Sequence, residues 1–201
     1  MFWLKSHKIC DNRLIARFLG EIVMFVWTAI LLDEQLAELK NKARKIEEKL
    51  NLKPSCHELP SHISLKISFE VANEKLDDLI NRIDDFYHHL IPFEVECDCI
   101  EKEGEIGWLK MKQSHLLKCV QISLNELLLR EFNVPLHPYD CDFKFHSTLF
   151  LNNDKQKIDK AFALIKDERY PKTLKASKFV IGISQTGELG SYSVHKEICI
   201  E

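Results

Sequence analysis

Two short stretches of this chain place an imidazole beside a hydroxyl: His62-Ile63-Ser64-Leu65 and His146-Ser147-Thr148-Leu149. Each lies in an apolar run of strand character, over 62–69 and 143–151. In a strand, residues i and i+2 point to one face, so His62 shares a face with Ser64, and His146 with Thr148. An imidazole takes up or gives up a proton near neutral pH. Two of them facing one reacting centre would supply a general base and a general acid, and the hydroxyls would donate hydrogen bonds to developing negative charge. The competing reading is a pair of unrelated strand histidines.

The elements that must position these residues can be read from the hydrophobic pattern. A strand lies within 22–32, opening at Met24. Asp33 is the expected N-cap of a helix whose apolar stripe is Leu36, Leu39, Ala43, Ile46 and Leu50. The stretch Lys53-Pro54-Ser55 ends it, and the first motif strand follows. Asn73 is the expected cap of a second helix with Leu76, Leu79, Ile80, Ile83, Phe86 and Leu90 on one side, stopped by Pro92. Strands over 93–102 and 106–112 turn at Glu103-Gly104. A long helix over 114–132 and a Pro-containing loop over 133–142 lead into the second motif strand. Then come a helix over 154–166 and strands over 174–184 and 190–200. Each motif strand is thus followed by a helix and a strand pair, and His62 and His146 are 84 residues apart. That element order is an internal structural repeat: two α+β lobes whose histidine faces meet in a shared cleft.

Length and composition agree. A chain of 201 residues with 45% apolar residues suits one domain, here of two similar lobes, with a sizeable core. A formal net charge of −3 argues against a broad basic nucleic-acid surface. The seven cysteines, odd in number and without framework spacing, suit a reducing compartment; Cys97 and Cys99 read as buried or free thiols rather than zinc ligands. The longest apolar run, 22–32, has 11 residues, short of the roughly 20 that a membrane-spanning helix needs. A cytoplasmic protein with no membrane association is expected. Residues 1–23 fit nothing downstream, beyond a weak helix over 13–19. Because Gly20-Glu21 can be encoded as GGAGAA, a purine-rich ribosome-binding sequence before a Met24 codon, the domain is expected over 24–201. Residues 1–23 then form an N-terminal extension, either one reflecting an upstream start in a bacterial gene or a real, poorly packed one.

The two motifs, their separation and the element order resemble the 2H phosphoesterase superfamily, which includes 2′-5′ RNA ligase-like proteins and 2′,3′-cyclic nucleotide phosphodiesterases. The likeness runs from Met24 to the end. Ile106-Gly107-Trp108-Leu109 resembles the family's middle strand, and Ser184 with Tyr192-Ser193-Val194 its closing strands. Leu151 stands where RNA-ligase-like members commonly carry an arginine. The resemblance implies a bilobal, duplicated α+β fold: two antiparallel sheets flanked by helices, with the active site in a central groove. It also implies His62, Ser64, His146 and Thr148 as the catalytic residues, with His146 as base and His62 as acid, and no metal or cofactor. The substrate would be a nucleotide or RNA end bearing a 2′,3′-cyclic phosphate or a 2′-5′ linkage, and no obligate protein partner is evident.

Strand alternation adds candidate substrate-binding residues. Lys66 falls on the His62–Ser64 face and Lys144 on the His146–Thr148 face, where each would contact phosphate or sit as an exposed strand-end lysine. Trp108 shares a face with Lys110 and Lys112, and either stacks on a base or packs in the core. Two other readings compete with the phosphodiesterase. One is a binding module that holds a phosphorylated nucleotide or RNA end without turnover; the intact acid–base pair counts against it. The other is a metal hydrolase, for which the sequence offers no HExxH, paired CxxC or dense carboxylate–histidine cluster.

Overall fold

The computed structural model describes residues 22–52, 59–188 and 190–201. Among these residues eight strands and five helices follow in order: β1 (Val23–Leu31), α1 (Asp33–Leu50), β2 (His62–Ala72), α2 (Leu76–His88), β3 (Phe93–Glu103), β4 (Ile106–Met111), α3 (His115–Phe132), the single-turn α4 (Pro138–Cys141), β5 (His146–Leu151), α5 (Lys155–Ile165), β6 (Thr173–Ala176), β7 (Lys178–Ser184) and β8 (Ser193–Cys199). They form two four-stranded antiparallel sheets, ordered β2-β1-β7-β8 and β5-β4-β3-β6. Each motif strand is the edge of its own sheet, and the two edges, β2 and β5, lie against each other.

One expected strand divides. The run over 174–184 breaks at Ser177, where β6 leaves β3 in one sheet and β7 joins β1 in the other. The Ser177 carbonyl accepts from Ile200 N–H (2.9 Å), so the break is itself hydrogen-bonded. Hydrophobic alternation cannot reveal such a crossing, because both halves of the run carry an apolar face. The chain also changes sheets between α2 and β3, so each sheet contains strands from both halves of the sequence.

The apolar stripes of α1, α2, α3 and α5 fill one continuous core between the helices and both sheets, including Leu36, Ile63, Leu79, Leu124, Phe150 and Ile158. Cys97 is buried in it, and burial pushes its thiol up to about 11. Cys97, Cys99, Cys119, Cys141 and Cys199 are all free.

Two expected caps differ. Leu32 rather than Asp33 is the N-cap of α1, with no side-chain cap bond. Asn73 opens a short 3₁₀ turn, Asn73–Lys75, and its N–H bonds the Ile22 carbonyl at 2.9 Å. Both side chains sit where a strand hands over to a helix, and the competing bonds there are long-range ones. Ser114 and Asp154 do cap α3 and α5 through side-chain oxygens. The helix expected over 13–19, and all but the last two residues of the extension expected over 1–23, lie outside the described residues; Val23 pairs with Ala72 in β1. Among the described residues no helix is long and apolar enough to cross a membrane.

Sheet and helix are joined by a buried polar contact. Thr28 Oγ1 donates to the Val180 carbonyl (2.9 Å) and therefore accepts from the Tyr87 hydroxyl (2.7 Å), while the Tyr87 ring stacks on Phe179 at 4.2 Å between centroids. Tyr87→Phe keeps the stack and leaves Thr28 its carbonyl partner, so it should cost about 1 kcal/mol. Thr28→Val strands the buried Tyr87 hydroxyl and should cost more, about 1–3 kcal/mol. Urea unfolding midpoints at unchanged slope check the order.

Candidate active site

The first motif is held by the start of α1. Leu32 N–H bonds the Ser61 carbonyl (2.7 Å), the Asp33 carboxylate accepts from Ser61 N–H (3.0 Å), and Lys40 Nζ donates to the Leu59 carbonyl (3.0 Å). Burial would raise the Asp33 pKa, but the Ser61 N–H and Lys40 hold it below the ordinary carboxylate value. His62 emerges from this braced segment, its Nδ1 2.7 Å from the Pro60 carbonyl. A carbonyl only accepts, so Nδ1 carries the hydrogen and the neutral ring keeps its lone pair on Nε2. His146 repeats the device: its Nδ1 lies 2.6 Å from the Lys144 carbonyl. In both motifs the imidazole is fixed by the carbonyl two residues upstream.

The paired strands supply a support under each ring. Leu31 and Ala29 of β1 lie opposite His62 and Ser64, and Lys110 and Trp108 of β4 lie opposite His146 and Thr148. Trp27 meets His62 edge-on at 4.5 Å, and Trp108 stacks on His146 at 4.4 Å. Trp27 Nε1 also donates to Ser64 Oγ (3.0 Å), which leaves the Ser64 O–H free to donate elsewhere. The Thr148 hydroxyl has no hydrogen-bond partner among the described residues. Beside His62, Trp27, Ala29 and Val180 form a small apolar cluster of their own, with Leu59 and Tyr192 packed against it. The Tyr192 hydroxyl bonds Ser68 Oγ.

The two imidazoles have different electrostatic surroundings. Burial lowers the pKa of His62 to about 4; charge on His146 and on Lys40 pushes the same way, against the Pro60 carbonyl. The two motif strands lie against each other, and a proton on His146 opposes one on His62. Burial also lowers the pKa of His146 and the Lys144 ammonium pushes the same way, while the Lys144 carbonyl, Glu103 and Glu101 favour its charged form.

Of the seven residues singled out in the sequence, the structure brings His62, Ser64, His146 and Thr148 to this region, with Trp108 beneath His146. Trp108 is 6% exposed and its Nε1 donates to Glu101 (3.0 Å), so its ring is covered rather than offered for stacking on a base. Lys144 is exposed and paired with Glu103 at 2.6 Å. Lys66 leaves the motif face. Register shifts in the β1–β2 ladder set Lys66 opposite Thr28 while Ser64 is opposite the next residue, Ala29. The extra β2 residue turns Lys66 to the interior, where it is 1% exposed and ion-paired with Asp140. Sequence reasoning missed Trp27 and the Pro60 and Lys144 carbonyls. A lone indole on the same strand face as Ala29 was the available signal for the first; backbone acceptors leave none. Among the described residues, no three of His, Cys, Asp or Glu gather in a way that could hold a metal ion.

A family model described as the 2′-5′ RNA ligase superfamily matches residues 32–188. Among solved structures, the chain is similar to E. coli LigT in apo form (17% identity, TM-score 0.54, covering 89% of this chain and 98% of that one). It is similar to E. coli LigT complexed with 3′-AMP (17%, 0.55, 89% and 98%). It is also similar to TT0787 of Thermus thermophilus (18%, 0.56, 87% and 97%). No curated protein matches the chain.

Two measurements test the geometry. A Cβ at Gly182 would lie 2.6 Å from Trp27 Cε3, so Gly182→Ala should displace the indole from Ser64 and His62, destabilise the fold by about 1–3 kcal/mol and shift the tryptophan emission. Separately, His62 should titrate near 4 and His146 below 6.5 by NMR. Unfolded histidines protonate near 6.5 while the folded ones resist, so the unfolded state binds more protons. Stability should fall as pH drops from 6.5 through about 4, and His62→Gln should reduce that fall in urea titrations at several pH values.

Proposed function

The chain belongs to the 2′-5′ RNA ligase superfamily, and from that membership we propose that it is a metal-independent phosphodiesterase. It hydrolyses a 2′,3′-cyclic phosphate or a 2′-5′ linkage of a nucleotide or RNA end by two-histidine acid–base catalysis. The observation that carries this reading is the duplicated imidazole: each Nδ1–H is held by the carbonyl two residues upstream, each ring has a hydroxyl beside it, and a proton on His146 opposes one on His62. LigT, which shares the fold, is complexed with 3′-AMP in one structure, and a nucleotide suits this reading. A cytoplasmic location fits the free cysteines.

In the reaction, a water oxygen attacks phosphorus as Nε2 of one histidine accepts its proton. The bond from phosphorus to the ribose oxygen breaks, and Nε2–H of the other histidine protonates the leaving oxygen. Ser64 and Thr148 donate to the non-bridging oxygens as charge builds there. We read the roles in the order opposite to that implied by the resemblance. Glu103 and Glu101 help His146 to keep a proton against the charge of Lys144, whereas burial, His146 and Lys40 all favour a neutral His62. His62 is then the base and His146 the acid. The required state is His62 neutral with His146 protonated, and the surroundings lower the pKa of both rings. kcat/KM should therefore follow a bell with an acidic maximum.

The test is product identification from a panel of 2′,3′-cyclic nucleotides, cyclic-phosphate-ended RNAs and 2′-5′ oligonucleotides, in the presence of EDTA. His62→Ala and His146→Ala should each remove most of kcat, and the double variant should cost little more than the worse single one, because the pair acts as a unit. A nitrophenyl phosphodiester, whose leaving group needs no proton, should restore turnover to His146→Ala but not to His62→Ala. Nucleotide binding without product would instead indicate a binding module, and turnover that EDTA abolishes and zinc or manganese restores would overturn the metal-free mechanism.

A further inference from the structure

Among the described residues, Lys66–Asp140 is the one ion pair with both side chains buried, 2% and 1% exposed. It lies outside the motifs but joins the segments that carry them. Lys66 is two residues beyond Ser64 on β2. Asp140 lies in α4, on the segment that runs from α3 into β5 and His146. Lys66 Nζ also donates to the Pro135 carbonyl (3.2 Å), so one ammonium holds that segment at two points. The same Asp140 oxygen accepts from His137 N–H (2.7 Å), and Gln121 Nε2 donates to the Asp140 carbonyl (3.4 Å), which ties the segment to α3.

Burying two charges costs desolvation that their attraction repays only in good geometry, and well-packed apolar residues at such positions are often as stable or more so. The pair is a poor device for stability and a good one for register, because it tolerates one arrangement of its partners. β2 and β5 belong to separate sheets, so no strand ladder fixes the distance between the motifs. We infer that Lys66 and Asp140 are positioning residues: their buried pair clamps the two lobes and sets the separation between His62 and His146. This rests on the reading of the two histidines as one acid–base pair.

The test separates positioning from folding by replacing the pair with apolar residues in Lys66→Met/Asp140→Leu. Its unfolding midpoint should stay near that of the parent, because no longer burying two charges offsets the lost partners of His137 N–H and the Pro135 carbonyl, while kcat on a 2′,3′-cyclic nucleotide should fall about 10- to 100-fold, the scale of a small misplacement of reacting groups; KM should change much less. His62 should also titrate higher by NMR, because His146 recedes while Lys40 of α1, the other charge acting on it, stays. Asp140→Asn is the second variant: its amide oxygen still accepts from His137 N–H, but the charge is gone, and it should move kcat and the His62 titration in the same directions. Lys66→Arg should recover part of kcat. Parental kcat and an unmoved His62 titration in either folded variant would overturn the clamp. If the parent proves to have no phosphodiesterase activity, the proposed function fails, while the His62 titration still decides for or against the clamp.

Discussion

The structure depends on a seam. The two strands that carry the motif histidines are the outermost strands of different sheets, and they meet edge against edge. An unpaired sheet edge is ordinarily a liability that a protein must cover; here each edge covers the other, and the covering brings both motif strands to the join. A seam of this kind has no ladder of its own. Its alignment comes from the continuous core behind it, from α3 packing beneath β2 and from the salt bridge buried across it.

Duplication and difference work at separate levels. At the level of the backbone, the two halves of the site are copies down to the carbonyl that orients each imidazole. Their neighbours diverge. Glu101, Glu103 and Lys144 lie near one ring, and Lys40 near the other. The aromatic supports also differ, one meeting its histidine by the edge and the other by the face. In the proposed mechanism the repeated backbone supplies two imidazoles, and their unlike neighbours allow one to act as acid and the other as base in the same step.

The sequence made the repeated part legible and the connecting part much less so. Period-2 strands and 3.6-period stripes located nearly every element, because each follows from which side of that element is buried. The two motifs stood out because imidazole and hydroxyl recur at the same spacing. Lys66 was misplaced because a bulge adds a residue to one strand, and the alternation that assigned its face assumes none. The crossing at Ser177 was invisible for a related reason: the run keeps its apolar character while its pairing partner changes from β3 to β1. Asp33 and Asn73 carry cap chemistry, but in the fold Asp33 binds the Ser61 backbone and Asn73 opens a turn. Bulges, sheet changes and long-range partners are tertiary facts, and local pattern does not encode them.

The exchange of strands between the sheets bears on how such a molecule arises. The third strand of the first sheet, β7, follows the second helical unit, and the third strand of the second sheet, β3, follows the first. A polypeptide of half this length, carrying one motif, would leave its own sheet short of that strand while holding a spare that fits only another copy. Its natural closed form is a reciprocal dimer in which two identical chains trade strands across a two-fold axis. Fusing two such genes would turn the traded strands into the crossings seen here and release the halves from symmetry, so that two once-identical histidines could acquire unlike neighbours.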